Sequence, residues 1–218
     1  MRRNLVIEVF VTEAALSRFG PILADVPVHV VTDRAAKALS DTVTPVGLVA
    51  VCELPSTNLA DVLADQPRLV AVAAEISEPG NAGTLIRIAD AMGADAVLLA
   101  GNSVDPYNGK CLRASAGSIF AVPVVAEAHA GEALSALRSA GLQVLATTVD
   151  GEVSLDDVDL SGPTAWLFGP ESRGLPAELA TSADHRVRIP MSGGAESLNV
   201  AAAAAICLYQ SAKAHRAD

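Results

Sequence analysis

Apolar residues follow two rhythms along this chain. Short continuous runs alternate with stretches in which apolar positions recur every three or four residues. The clearest run is 68–74, Arg-Leu-Val-Ala-Val-Ala-Ala, continuous as buried parallel strands are. Beyond it, Leu85, Ile88, Ala89 and Met92 fall on one helical stripe within 83–92, and Gly93 is placed to end that helix. Residues 96–100 form the next strand, so this stretch predicts a right-handed βαβ unit. The alternation then continues through a loop and short helix at 104–114, a strand at 119–125, and a helix at 132–139 closed by Gly141. Strands at 142–147 and 164–168, a helix at 175–181, a strand at 186–189 and a long helix at 196–213 complete it. The pattern predicts an α/β fold, a mostly parallel sheet with helices on both faces.

The beginning of the chain reads as a smaller α/β unit, with strands at 5–11, 28–31 and 47–52 and helices at 13–19 and 33–39. Turn formers without periodicity follow at 53–58, then a short helix at 58–64. The expected division is a first domain at 1–54, a linker at 55–67 and a main domain at 68–218. A unit as small as the first is marginal alone.

Composition narrows the classes. With 51% hydrophobic and 18% charged residues, disorder is excluded. No run approaches the roughly 20 apolar residues of a membrane span, so no membrane partner is expected. Cys52, Cys111 and Cys207 are odd in number and unrelated in spacing, which excludes a disulfide framework and a CxxC metal site. Without an apolar signal segment at 1–10, the cytoplasm is the expected compartment. A net charge of −10 argues against a protein that coats nucleic acid, and 3% aromatics argue against a base-stacking platform. Neither excludes an enzyme that meets RNA through a local basic patch.

In open parallel sheets, ligands bind beyond the carboxyl ends of the strands. Three loops in such positions are unusual. The first, 75–87, holds Gly80, Asn81 and Gly83 ahead of Arg87. Asn81 can cap the following helix, and Arg87 lies off its apolar stripe. Arg87 is either a functional cation or a surface side chain paired with Asp90. The glycines match neither GxGxxG nor the P-loop. The second, 167–176, is fixed by Gly169, Pro170 and Gly174 and carries Glu171 and Arg173 at its tip; it is a shaped cradle or a solvated turn. The third, 189–200, sets Ser192, Glu196, Ser197 and Asn199 around Gly193 and Gly194. A helix cap at Ser192 or Ser197 explains one of these polar residues but not four. None of the four histidines sits near a nucleophile motif, and no metal pattern appears. Cys111 reads as a small core residue.

Together the loops resemble the three signature motifs of the SpoU (TrmH-type) family of RNA ribose 2′-O-methyltransferases, in the SPOUT class. The motifs are Asn81-Ala-Gly-Thr-Leu-Ile-Arg87, Leu167-Phe-Gly-Pro-Glu171-Ser-Arg-Gly-Leu, and Ile189-Pro-Met-Ser-Gly-Gly-Ala-Glu-Ser197-Leu-Asn199. The stretch 105–117 is also similar to the family, and the likeness covers about 68–210.

The resemblance implies a C-terminal trefoil knot, which topology rules alone would reject. It implies S-adenosylmethionine (AdoMet) as cofactor, cradled by backbone around Gly169, Ile189 and Leu198, with Thr147, Leu167 and Met191 nearby. It implies a homodimer, for which the alanine-rich last helix is an interface candidate, and an RNA partner, rRNA rather than tRNA. No metal is implied. It makes 1–54 a partial L30e-like RNA-binding domain, entered at the strand before Thr12. The implied catalytic set is Arg87, Asn81, Glu171, Ser197 and Asn199. A guanidinium keeps its proton at ordinary pH. Arg87 is therefore expected to grip RNA phosphate and stabilise a developing alkoxide, with the other four shaping the site and orienting it. The alternative is a catalytically silent RNA-binding or assembly protein on the same fold.

Overall fold

The computed structural model describes residues 5–127 and 129–216. The chain divides into two compact units, Met1–Ser56 and Thr57–Asp218.

The first unit is a three-stranded sheet. β1 (Val6–Val11) lies between β2 (Val28–Val30), to which it is parallel, and β3 (Leu48–Cys52), to which it is antiparallel. α1 (Glu13–Phe19) and α2 (Asp33–Ala38) are each capped by a threonine, Thr12 and Thr32, whose hydroxyl accepts from the third residue beyond. Val9, Val11, Ala15 and Leu23 form its small core.

The second unit opens with α3 (Leu59–Ala64). A capping box between Asn58 and Asp61 starts this helix, and it buries Val62 in the unit's core. The stretch expected as linker thus carries a packed helix. Seven parallel strands follow: β4 (Leu69–Ala74), β5 (Ala96–Ala100), β6 (Val124–Glu127), β7 (Gln143–Thr147), β8 (Val153–Ser154), β9 (Thr164–Phe168) and β10 (His185–Arg188). Their order across the sheet is β6-β5-β4-β9-β7-β10-β8. Alternation along β4 divides the core. Leu69, Ala71 and Ala73 face α4 (Pro79–Met92), α5 (Gly109–Ser115) and α8 (Val200–His215). Val70, Val72 and Ala74 face α3 and α6 (Ala130–Ser139). A short α7 (Ala177–Ser182) precedes β10. No helix among the described residues is long and apolar enough to cross a membrane.

Three expectations change and one strand is added. The strand expected at 119–125 begins only at Val124. Gly117, at φ +93°, starts a 3₁₀ turn over Ser118–Phe120, and Pro123 has no N–H for the ladder. β8 is two residues long and leaves no periodicity to read. α4 begins at Pro79, four residues before its expected start, because proline suits the first helical position and Glu78 caps it. α8 begins at Val200 rather than 196, so the third polar loop stays open.

One crossing sets the local shape of the sheet. The chain leaves β7, passes over β10 within 148–152, and pairs on its far side as β8. Gly151 lies against that strand: a Cβ there would stand 2.6 Å from Arg188 N and 2.6 Å from the Val187 carbonyl carbon.

Candidate functional site

Three neighbouring parallel strands end at one cavity. Thr147 is the last residue of β7, Gly169 the first after β9, and Ile189 the first after β10. The cavity measures about 670 Å³, within the usual few hundred to 1,000 Å³ of small-molecule sites. Met191, Ser197 and Leu198 line it too, from the loop that α8 leaves unwound. Five of the six residues expected around a cofactor therefore share one wall system. Leu167 does not. Its side chain is fully buried in the sheet's core, and its carbonyl accepts from Thr147 Oγ1 at 2.9 Å.

Gly169 explains the cradle's shape. A Cβ there would meet Leu175 N at 2.6 Å and the Gly174 carbonyl carbon at 2.8 Å. Gly174 itself takes φ +66°, and its N–H donates to the Pro170 carbonyl at 2.8 Å. The loop folds on itself, and only glycine permits that approach.

Beside the cavity, the three polar loops meet at one carboxylate oxygen. Glu171 Oε1 accepts from Asn81 Nδ2 at 2.9 Å, from Asn199 Nδ2 at 2.6 Å and from the Val200 N–H at 3.2 Å. Asn199 Nδ2 also donates to Asn81 Oδ1 at 3.2 Å. The Asn199 Oδ1 accepts from the Ala201 and Ala202 N–H groups, so Asn199 is the cap of α8, and not Ser192 or Ser197. Asn81 sits in the first turn of α4 and is likewise not its cap. Glu78 fills that role, accepting from Gly80 N at 3.2 Å and from Lys110 Nζ at 2.5 Å. The Lys110 hydrogen bond, then that from Gly80, holds the Glu78 carboxyl below its ordinary range. Freed from capping, Asn81 reaches across to Glu171.

Arg87 and Ser197 stand outside this network. Arg87 is exposed on α4 and, among the described residues, makes no hydrogen bond or ion pair, with Asp90 or any other group. Among the described residues, Asn81, Glu171 and Asn199 make no bond to the Arg87 side chain. Ser197 is exposed on the cavity rim. Cys111 is buried between α4 and α5, and burial, then nearby Asp105, pushes its thiol up to about 11, which suits a packing role.

Thr148 is a lining residue that no sequence motif marks. Its Oγ1 is buried without a hydrogen-bond partner among the described residues. Two adjacent threonines after an apolar strand look like any strand end, so no pattern marks it. The cavity fits a ligand with an apolar, flat part and polar edges. Ile189, Leu198 and Met191 offer apolar wall, the cramped Gly169 loop offers backbone groups, and Thr148 offers an unused hydroxyl.

The model of the SpoU rRNA methylase family matches residues 68–209. The chain is 36% identical over 181 residues to the 23S rRNA (guanosine(2553)-2′-O)-methyltransferase RlmP of Bacillus subtilis, covering 83% of this chain and 71% of that protein. It is 37% identical over 174 residues to the 23S rRNA (uridine(2479)-2′-O)-methyltransferase of Streptomyces viridochromogenes, covering 78% of this chain but only 61% of that one. Among solved structures, the SpoU methyltransferase AviRb from Streptomyces viridochromogenes, in complex with the cofactor AdoMet, superposes with a TM-score of 0.85 at 30% identity, over 98% of this chain and 84% of that one. With the family model spanning well over half its length, this chain belongs to the SpoU rRNA methylase family.

Proposed function

We propose that this chain is an AdoMet-dependent methyltransferase acting on a ribose 2′-hydroxyl of ribosomal RNA in the cytoplasm. The observation that carries the reading is the junction at Glu171. It joins residues from all three polar loops beside a cavity at the carboxyl ends of β7, β9 and β10. Catalysis by positioning needs such a junction, because small displacements of reacting groups cost large factors in rate. The names of RlmP and of the Streptomyces enzyme support rRNA as substrate.

Thr147, Gly169, Ile189, Met191 and Leu198 would hold AdoMet, with Leu167 acting through its carbonyl. When bound, AdoMet supplies a methyl group activated on a positively charged sulfur. The protein supplies the rest. Asn81, Glu171 and Asn199 lock the loops around the acceptor site, and Ser197 lines its mouth. Arg87, whose side chain has no partner among the described residues, can hold an RNA phosphate. Its N–H groups can also stabilise charge growing on the ribose oxygen while the proton leaves late, to phosphate or water.

The fold reading includes a trefoil knot, supported by the passage of 148–152 over β10 with Gly151 on its backbone. The functional unit is a homodimer. α8 leaves Ala202, Ile206 and Tyr209 exposed at helical spacing, an apolar stripe that a second copy would cover. Residues 1–54 serve as an L30e-like RNA-binding domain, followed by the connection 55–67 and the SPOUT domain 68–218.

Calorimetric titration with AdoMet, with NAD and ATP as controls, tests the cofactor. Saturable binding of AdoMet alone, abolished in Leu198→Asp, is the expected result; no binding by folded protein would sink the assignment. Transfer of labelled methyl to rRNA then tests Arg87. Arg87→Lys is expected to keep AdoMet affinity and lose most activity, since ammonium lacks the planar pair of donors. Full activity in that variant would refute the grip.

A further inference from the structure

Thr148 follows the last residue of β7 and lies on the cavity wall. Its N–H donates to the Val187 carbonyl at 3.0 Å, which ties it to the end of β10, two residues before Ile189. The neighbouring Thr147 hydroxyl is satisfied by the Leu167 carbonyl. The Thr148 hydroxyl is not satisfied by any described residue, although its oxygen is buried. Such a group carries its full desolvation penalty, which a valine of the same shape would avoid. Neither the Glu171 junction nor the packing of the sheet uses it.

We infer that Thr148 is a specificity residue of the cavity, whose hydroxyl hydrogen-bonds the adenosyl part of AdoMet. The inference rests on the AdoMet reading above. Thr148 shares its wall with Ile189, the kind of apolar surface that takes the face of a purine. The edge of that purine and its ribose present acceptors and hydroxyls, and a threonine hydroxyl both donates and accepts. For this contact Oγ1 must turn about Cα–Cβ into a staggered well that faces the cavity, a rotation that leaves the backbone bond to Val187 intact. A β-branched side chain has few wells, so binding restricts it little. A pocket group paired only when ligand is present also discriminates, because a ligand lacking the matching edge leaves it unpaired.

The test uses the full chain with Thr148→Val and Thr148→Ser. Two probes are titrated: AdoMet, and 5′-methylthioadenosine, which carries the adenosyl part without the amino acid. Thr148→Val is expected to weaken both by about fivefold to tenfold, the scale of one net hydrogen bond. Thr148→Ser is expected to stay within about twofold of wild type. The ligand-free melting temperature of Thr148→Val should equal or exceed that of wild type, since an unpaired buried hydroxyl has gone. Unchanged AdoMet affinity in Thr148→Val, with wild type binding normally, overturns this inference alone. A loss confined to AdoMet, or no methylthioadenosine binding by wild type, moves the contact off the adenosyl part and overturns it as well. Weaker binding together with a lower melting temperature would make Thr148 a structural residue. Wild type that binds no AdoMet overturns the function reading first, and this assignment with it.

Discussion

Glu171 offers a single oxygen to two side-chain amides and one main-chain N–H. It thereby ties the first turn of α4, the loop after β9 and the start of α8. Asn199 does two jobs there: its oxygen caps α8 and its amide donates to Glu171 and Asn81. The jobs separate by substitution. Asn199→Ala loses the cap, about 1 kcal/mol, and the melting temperature should fall by about 2–4 °C in a chain of this size. Asn199→Ser keeps a cap oxygen and should restore most of that loss. It lacks the amide, so methyl transfer should stay depressed by about a hundredfold, the cost of loosened positioning. Serine restoring activity together with stability would reduce Asn199 to a helix cap. Asn81, Glu171 and Asn199 were legible because each interrupts a glycine- or proline-rich loop after a strand, and because the motifs resemble a family. Their mutual bonding was not legible, since they lie 28 to 118 positions apart. Asn81 reads as a cap from its residue type alone, but Glu78-Pro79 claims the helix start.

At the level of elements, α4 and the β7–β8 crossing carry the site. Glu78 caps α4 and bridges to Lys110 on α5. Its carboxyl titrates below its ordinary 4.5 in the folded protein, so its contribution is present above that pH and fades as pH falls through the folded value. Melting temperatures of wild type and Glu78→Gln should therefore differ at pH 6 and converge as pH falls well below 4.5. A gap that persists in acid would mean that the charge is not the cause. The crossing makes a steeper demand. Gly151→Ala forces a methyl into the backbone of β10, with no flexible side chain to yield. The loss should be about 1–3 kcal/mol, seen as a lower denaturant midpoint with unchanged slope. No loss would show that the loop can lift away from β10. Strands such as 69–74 and 164–168 were readable because continuous apolar runs have few other uses. The crossing was not, because its strand is two residues long and its cause, a backbone contact between 151 and 186–188, is remote in sequence. The start of α8 was misplaced because Glu196-Ser197-Leu198 continues a helical pattern. Asn199 ahead of the apolar run was the better signal.

Taken whole, the molecule carries ten net negative charges, yet its proposed substrate is a polyanion. Attraction must then come from few cations. In the larger unit, Arg138 is tied to Asp184, Arg186 to Asp150 and Glu152, and Lys110 to Glu78. Arg188 donates to the Gly151 and Glu152 carbonyls. Arg87, Arg113 and Arg173 are exposed and make no ion pair among the described residues. They sit on α4, on α5, which packs against α4 where Gly83 meets the Cys111 carbonyl, and on the cavity's rim. Each phosphate neutralised by a protein cation steepens the salt dependence of RNA binding by about 0.7–0.9 in log K against log salt. With Arg87, Arg113 and Arg173 as the arginines that meet phosphate, the slope on rRNA should be only about −2 to −3. Removing any one of them should flatten it by about 0.7–0.9, while Arg138→Ala, which loses an arginine already committed to Asp184, should leave it unchanged. A wild-type slope of about −6 or steeper would mean that cations beyond these three also reach the RNA, those of the first unit or those now held by carboxylates.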